Sequence, residues 1–173
     1  MLNGERKLSA PEADFDTLEA SFEIGYNSGM AIRGVQEQSI HDQVVGASAS
    51  TYTKMEESGY KVSSNPNGYQ NQYVGPRTNP QYPDVVVWYP SEPGSTGGTA
   101  HTIEEIETEG SVNEEEASQW AAYAALNVVF RLIVPTQSAP EARRILDNQR
   151  LTTVELWTWE KSIDGRINFR KYE

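Results

Sequence analysis

The chain has no cysteine among its 173 residues, which removes a disulfide framework, a thiolate zinc site and a cysteine nucleophile. Basic residues are scarce as well: 14 Lys and Arg stand against 25 Asp and Glu, a formal net charge of −11. Broad binding to a polyanion draws its affinity from Lys and Arg neutralising phosphates, so this balance argues against it. A nucleic-acid role needs local compensation, from divalent cations at an acidic site or from a basic cluster such as Arg143 and Arg144. Long apolar runs are missing too. The longest lies around Val128 to Val134, far short of the roughly 20 residues of a membrane helix, and the first residues lack the apolar core of a signal peptide. The expectation is an intracellular, cytoplasmic protein with a flexible polar arm over residues 1–13 and one domain over 14–173.

What is present is an alternation of helical and strand patterns. Phe15, Leu18 and Phe22 fit one helical face, and Ile40, Val44, Ala47, Thr51 and Met55 recur at helical spacing up to a stop at Gly59. A strand beginning at Tyr60-Lys61-Val62, a turn at Asn65-Pro66-Asn67-Gly68 and a hairpin or long loop as far as Pro80 follow. Val85 to Trp88 and His101 to Glu107 read as buried strands around a Gly-rich loop over Pro90 to Thr99. That loop lacks the Lys-Ser or Lys-Thr of a phosphate-binding loop, so it receives no nucleotide role. Asn113 predicts an N-cap for a helix over Glu114 to Leu126, and Val128 to Val134 predicts another strand. Ser138-Ala139-Pro140-Glu141 has the capping-box pattern before a helix through Ile145 and Leu146. A β-hairpin turning at Asp164-Gly165 ends the chain. The order indicates a mixed α/β domain with a sheet covered by helices.

The informative residues are carboxylates set in apolar runs. Asp84 heads Val85-Val86-Val87, and Glu104, Glu105 and Glu107 sit in the next run. A strand buried on both faces tolerates an acid only if it is paired, hydrogen-bonded or bound to a cation. Period two puts Glu105 and Glu107 on one face and Glu104 on the other. If the two strands pair, Asp84 joins Glu105 and Glu107, and an all-oxygen cluster suits Mg²⁺ or Mn²⁺ better than zinc.

At these residues the chain resembles the PD-(D/E)XK nuclease superfamily, the fold of many restriction enzymes, junction resolvases and RecB-like exonucleases. Pro83-Asp84 looks like the family's PD, and Glu105-Ile106-Glu107 like its (D/E)-x-K on the next strand. Gln119-Trp120-Ala121-Ala122-Tyr123 is similar to the Q-x-x-x-Y signature of the RecB-like branch. The resemblance spans about Gln36 to Val134 and implies a restriction-endonuclease-like αβββαβ core, a central mixed sheet flanked by helices, here with the C-terminal hairpin added. It also implies that Asp84, Glu105 and the carbonyl of Ile106 are metal ligands, that Gln119 and Tyr123 lie on the substrate side, and that His41 or its neighbour Glu37 adds a ligand. Glu107 departs from the pattern, since the family usually has Lys there. A Glu would act as general base or bind a second ion, or a lysine from elsewhere, such as Lys61, would take the role.

The function implied is a Mg²⁺- or Mn²⁺-dependent nuclease acting on nucleic acid, DNA ahead of RNA, without membrane association and as a homodimer or larger assembly. The alternatives are a nuclease-like domain without catalysis that serves as a structural or interaction module, and a metal-dependent enzyme on another phosphate substrate. Each motif also has a plainer reading. Pro83-Asp84 is a common way to begin a strand, Glu105 and Glu107 fit the wet face of an edge strand, and Gln119 with Tyr123 fits an amphipathic helix border. Arg143 and Arg144 read as a solvated helix face, His41 and still more His101 as a surface or core histidine, and Trp157 with Trp159 as a packed sheet face rather than a base-stacking platform.

Overall fold

The computed structural model describes residues 34–90 and 98–173. Six strands form one mixed, curled sheet in which neighbours in space are neighbours in sequence. Strand β1 (Lys61–Ser64) pairs antiparallel with β2 (Val85–Trp88), and β2 pairs antiparallel with β3 (Ala100–Ile106). Parallel pairing then joins β3 to β4 (Val129–Pro135) and β4 to β5 (Glu155–Lys161), and β6 (Ile167–Lys171) closes the sheet antiparallel to β5. The C-terminal hairpin is thus a continuation of the central sheet. Its register sets Arg131 opposite Glu155, where Arg131 Nε donates to Glu155 Oε2 at 3.0 Å.

Alternation along the strands builds two cores. Val86, Ile103, Leu132, Val134 and Leu156 face helices α3 (Ala117–Ala124) and α4 (Ala139–Asn148), packing with Trp120, Tyr123, Ile145 and Leu146. Val85, Val87, Ile106 and Ile133 face the other way, onto Val44 and Val45 of helix α1 (Val35–Ser50) and onto Tyr52. Each of these fully buried side chains contributes about 1.5–3 kcal/mol relative to exposure.

Three helical expectations change. The stripe expected from Ile40 to Met55 is not one helix: α1 stops at Ser50 and a short α2 (Thr53–Glu57) follows. Ser50 Oγ donates to the carbonyl of Ala47 and Thr51 Oγ1 to that of Ser48, at 2.7 Å each, and such bonds compete with the helical ladder. The break turns Tyr52 inward, and the buried face of α1 is His41, Val44, Val45 and Ser48. Helix α3 starts later than expected, because Asn113 Oδ1 accepts from the N–H of Glu115 at 2.8 Å within a turn. Ser138 makes no side-chain cap to α4, since Glu141 pairs with Arg144 instead. The N-terminal arm, the Phe15 to Phe22 stripe and residues 91–97 of the Gly-rich loop lie outside the described residues. No helix among the described residues is long and apolar enough to cross a membrane.

Candidate functional site

Strand pairing brings the two motif acids together. The antiparallel register sets Val85 opposite Glu104, and Asp84 directly precedes β2 where Glu105 follows Glu104 on β3. Both acids are buried, at 8 % and 6 % exposure. The second strand also holds Asp84 directly, because the N–H of Ile106 donates to Asp84 Oδ2 at 2.8 Å.

Helix α1 supplies the next residue. His41 is 1 % exposed, and its Nε2 lies 3.1 Å from Asp84 Oδ2. Nδ1 faces Asp42 Oδ1 at 3.3 Å. Asp42 is itself fixed by Gln38 Nε2 at 2.8 Å and by the N–H of Asn67 at 2.9 Å. Burial alone would raise the Asp42 carboxyl, but these bonds and His41 outweigh it and hold it below the ordinary value. One turn earlier, the half-buried Glu37 lies against the turn after β3, so close that a Cβ on Gly110 would come within 2.7 Å of its Oε1.

Helix α3 closes the other side. Gln119 Nε2 donates to the Tyr123 hydroxyl at 2.9 Å, linking the two residues of the helical motif, and that hydroxyl in turn bonds Glu105. Burial pushes the Tyr123 phenol well above its ordinary pKa, and the charges of Glu105 and then Asp84 push the same way. Both carboxylates therefore act on one hydroxyl. Glu107 shares the face of Glu105 but turns into the core, where its Oε1 accepts from Trp120 Nε1 at 2.9 Å at 1 % exposure. Its carbonyl accepts from Trp159 Nε1 at 3.0 Å, which gives Trp159 a packing role.

Glu104, on the opposite face of β3, meets a different set. Its carboxylate accepts from Ser48 Oγ and from the Tyr52 hydroxyl, with Arg131 Nη1 3.6 Å away. Arg131 also donates to Tyr52 at 2.7 Å and packs over the Trp157 ring at 5.0 Å. Glu155 completes the chain by accepting from Arg131 and from Lys171. Burial outweighs all of these partners and raises the Glu104 carboxyl above its ordinary value.

The motif residues Asp84, Glu105, Ile106, Gln119 and Tyr123 thus gather at one end of the sheet with His41, while Glu107 adjoins them through Trp120. Lys61 does not join them. It pairs with Trp88, four positions from Asp84 and about 13 Å along the strand. Arg143 and Arg144 lie on α4, where they pair with Asp147, and with Glu141 and Glu114. His101 packs edge-on against Tyr60 and Tyr89 at the opposite end of the sheet. Sequence reasoning missed Asn65, which is 4 % exposed and makes four side-chain bonds: its Nδ2 donates to the carbonyls of Gln72 and Pro83, and its Oδ1 accepts from Asn71 and Gln72. The only sequence signal was a turn. Its effect is to anchor the long loop onto the residue that precedes Asp84.

As a metal centre the arrangement is partial. Among the described residues no three His, Cys, Asp or Glu side chains stand together as a ready-made metal site. The carboxylates present are donors of the type that Mg²⁺ and Mn²⁺ take, the imidazole one that suits softer divalent ions, and the 3.1 Å between His41 Nε2 and Asp84 Oδ2 is a hydrogen-bond distance. A carboxylate stands at each ring nitrogen of His41, Asp42 at Nδ1 and Asp84 at Nε2. No family model, no curated protein and no solved structure matches the chain.

Proposed function

We propose that the chain is a Mg²⁺- or Mn²⁺-dependent nuclease built on a restriction-endonuclease-like core. The observation that carries this reading is the seating of the buried Asp84 at the end of β3, where the N–H of Ile106, the residue after Glu105, donates to it at 2.8 Å and His41 Nε2 lies 3.1 Å away. The order α1, β1, β2, β3, α3, β4 supports it as well, because it reads as the αβββαβ sequence that the motif resemblance implies.

Asp84, Glu105 and His41 would hold the ion, with the Ile106 carbonyl as a further donor. Glu105 must turn from Tyr123 towards Asp84 to complete the set. A bound ion would supply Lewis-acid stabilisation of the charge that develops on a phosphodiester. The N–H of Ile106 fixes the Asp84 carboxylate, and Asp42 fixes the imidazole of His41. Gln119 and Tyr123 present a paired amide and phenol on the substrate side. The raised pKa keeps Tyr123 protonated, so its O–H remains a donor at any working pH.

One observation favours the second reading, a nuclease-like module without catalysis: Glu107, at the position where the family carries Lys, is buried against Trp120. The deciding experiment compares wild type with Asp84→Ala on single-stranded, duplex and branched DNA and on RNA, with Mg²⁺, Mn²⁺ or EDTA. Metal-dependent cleavage that disappears in the variant is expected. Inactivity throughout, with no heat on adding metal, would select the silent module.

A further inference from the structure

We propose that the loop from Asn65 to Tyr82 is a stacking platform for unpaired bases, and that the strand delivered to the Asp84 end of the sheet is single-stranded nucleic acid. The inference deepens the nuclease reading and rests on it only for where the strand goes. Its first support is charge. In a chain of net charge −11, the run from Ser58 to Pro83 has no Asp or Glu, and Arg77 is the only charged residue between Asn65 and Tyr82. The loop itself presents no carboxylate to a polyanion, the nearest being Asp42 in the groove beside it, yet it offers few cations, so affinity must come from another source.

That source is aromatic and amide chemistry. Tyr69 is 61 % and Tyr73 38 % exposed, and the Tyr73 ring lies 6.1 Å from that of Tyr82, two residues before Asp84. Exposed aromatic rings offer a face on which bases stack whatever their sequence. Gln70, Asn71 and Asn79 are exposed residues of the same loop, and their amides are of the kind that pairs with base edges. The segment is held in place. Asn65 ties it to the Pro83 carbonyl, Val74 and Gln81 exchange two main-chain bonds, and the N–H of Asn67 reaches Asp42 behind His41. A groove lined by Gln38, Ser39, Asp42 and Asn67 continues from the loop along α1. A duplex hides its base faces in the stack and would gain little from these rings.

The test is fluorescence anisotropy with a labelled oligothymidylate and a duplex of equal length, in EDTA and again with Ca²⁺. Wild type should prefer the oligothymidylate, and Tyr69→Ala/Tyr73→Ala should bind it about tenfold more weakly or worse, whereas Tyr69→Phe/Tyr73→Phe should bind as wild type does. With one cation in the loop, the logarithm of affinity should fall with the logarithm of salt at a slope of about −1 or shallower. Matching far-ultraviolet circular dichroism and matching thermal unfolding would verify that the variants are folded. Equal binding by the alanine variant, a preference for duplex, or no binding of either probe would overturn the inference. Cleavage separates the two ideas: tyrosine-dependent binding without cleavage removes the nuclease reading and keeps this one, and duplex cleavage at equal rates in wild type and alanine variant does the reverse.

Discussion

The two faces of strand β3 carry acids one residue apart in sequence and opposite in circumstance. Glu104 is met by two hydroxyls and, at 3.6 Å, by a guanidinium, all supplied by the chain. Asp84 and Glu105, on the other face, gather around an imidazole, a main-chain N–H and a phenol. The first arrangement satisfies a buried carboxyl with partners from the chain and holds α1, β3, β4 and β5 together. The second sets two carboxyl groups at the strand ends beside a histidine, which is where the proposed ion would bind. Burial is common to both sets of acids, and they differ in the character of their partners.

The comparison can be broken most forcefully from the Glu104 side. Glu104→Ala leaves Tyr52, Ser48 and Arg131 facing an empty, buried position, and removing one partner of such a network costs about 3–5 kcal/mol. Urea unfolding should register that loss, and a cost below about 1 kcal/mol would mean that the network is not structural. Asn65→Ala comes next. It strips partners from buried main-chain groups of Gln72 and Pro83 and should cost about 2 kcal/mol. It should also lower cleavage in the folded fraction by loosening the approach to Asp84, and unchanged activity there would remove Asn65 from the site.

The smallest effect sharpens the contrast through pH. Because burial raises the Glu104 carboxyl above its ordinary 4.5, the native chain holds this proton where the unfolded chain has lost it. Its contribution to stability is therefore full below about 4.5 and declines as pH rises towards the native value. The stability of wild type minus that of Glu104→Gln should fall as pH increases from about 4.5 towards neutrality. Asp42 and Glu155, both held below their ordinary values, respond at more acid pH and are common to both proteins. A difference that is flat or rises with pH would contradict the assigned environment.

Much of the sheet was legible in the sequence because the physics involved is local. Val85 to Trp88 is an apolar run after a proline, and period two alone separates Glu104 from Glu105. That Asp84 reaches the end of β3 needed only that β2 and β3 be neighbours in antiparallel register. What escaped depends on distant partners. Tyr52 ends a helical stripe because it bonds Glu104, 52 residues away, and Arg131, 79 residues away. No periodicity reveals that. Asn65 looked like any turn residue, since its partners at Gln72 and Pro83 become neighbours only when the loop closes on itself. Glu107 follows the parity of Glu105 as expected, but Trp120 on the next helix decides where its carboxylate ends.

The most direct measurement is thermal unfolding with and without Mn²⁺ for wild type, Asp84→Asn and Glu104→Gln. A cation that binds only the folded chain at about 100 times its Kd adds about 2.7 kcal/mol, or about 5–10 °C in Tm for a chain of this size. The account predicts that rise in wild type and in Glu104→Gln, and its loss in Asp84→Asn. An equal rise in Asp84→Asn, or none in wild type, would contradict the claim that the Asp84 face of β3 is the one built to receive a metal ion.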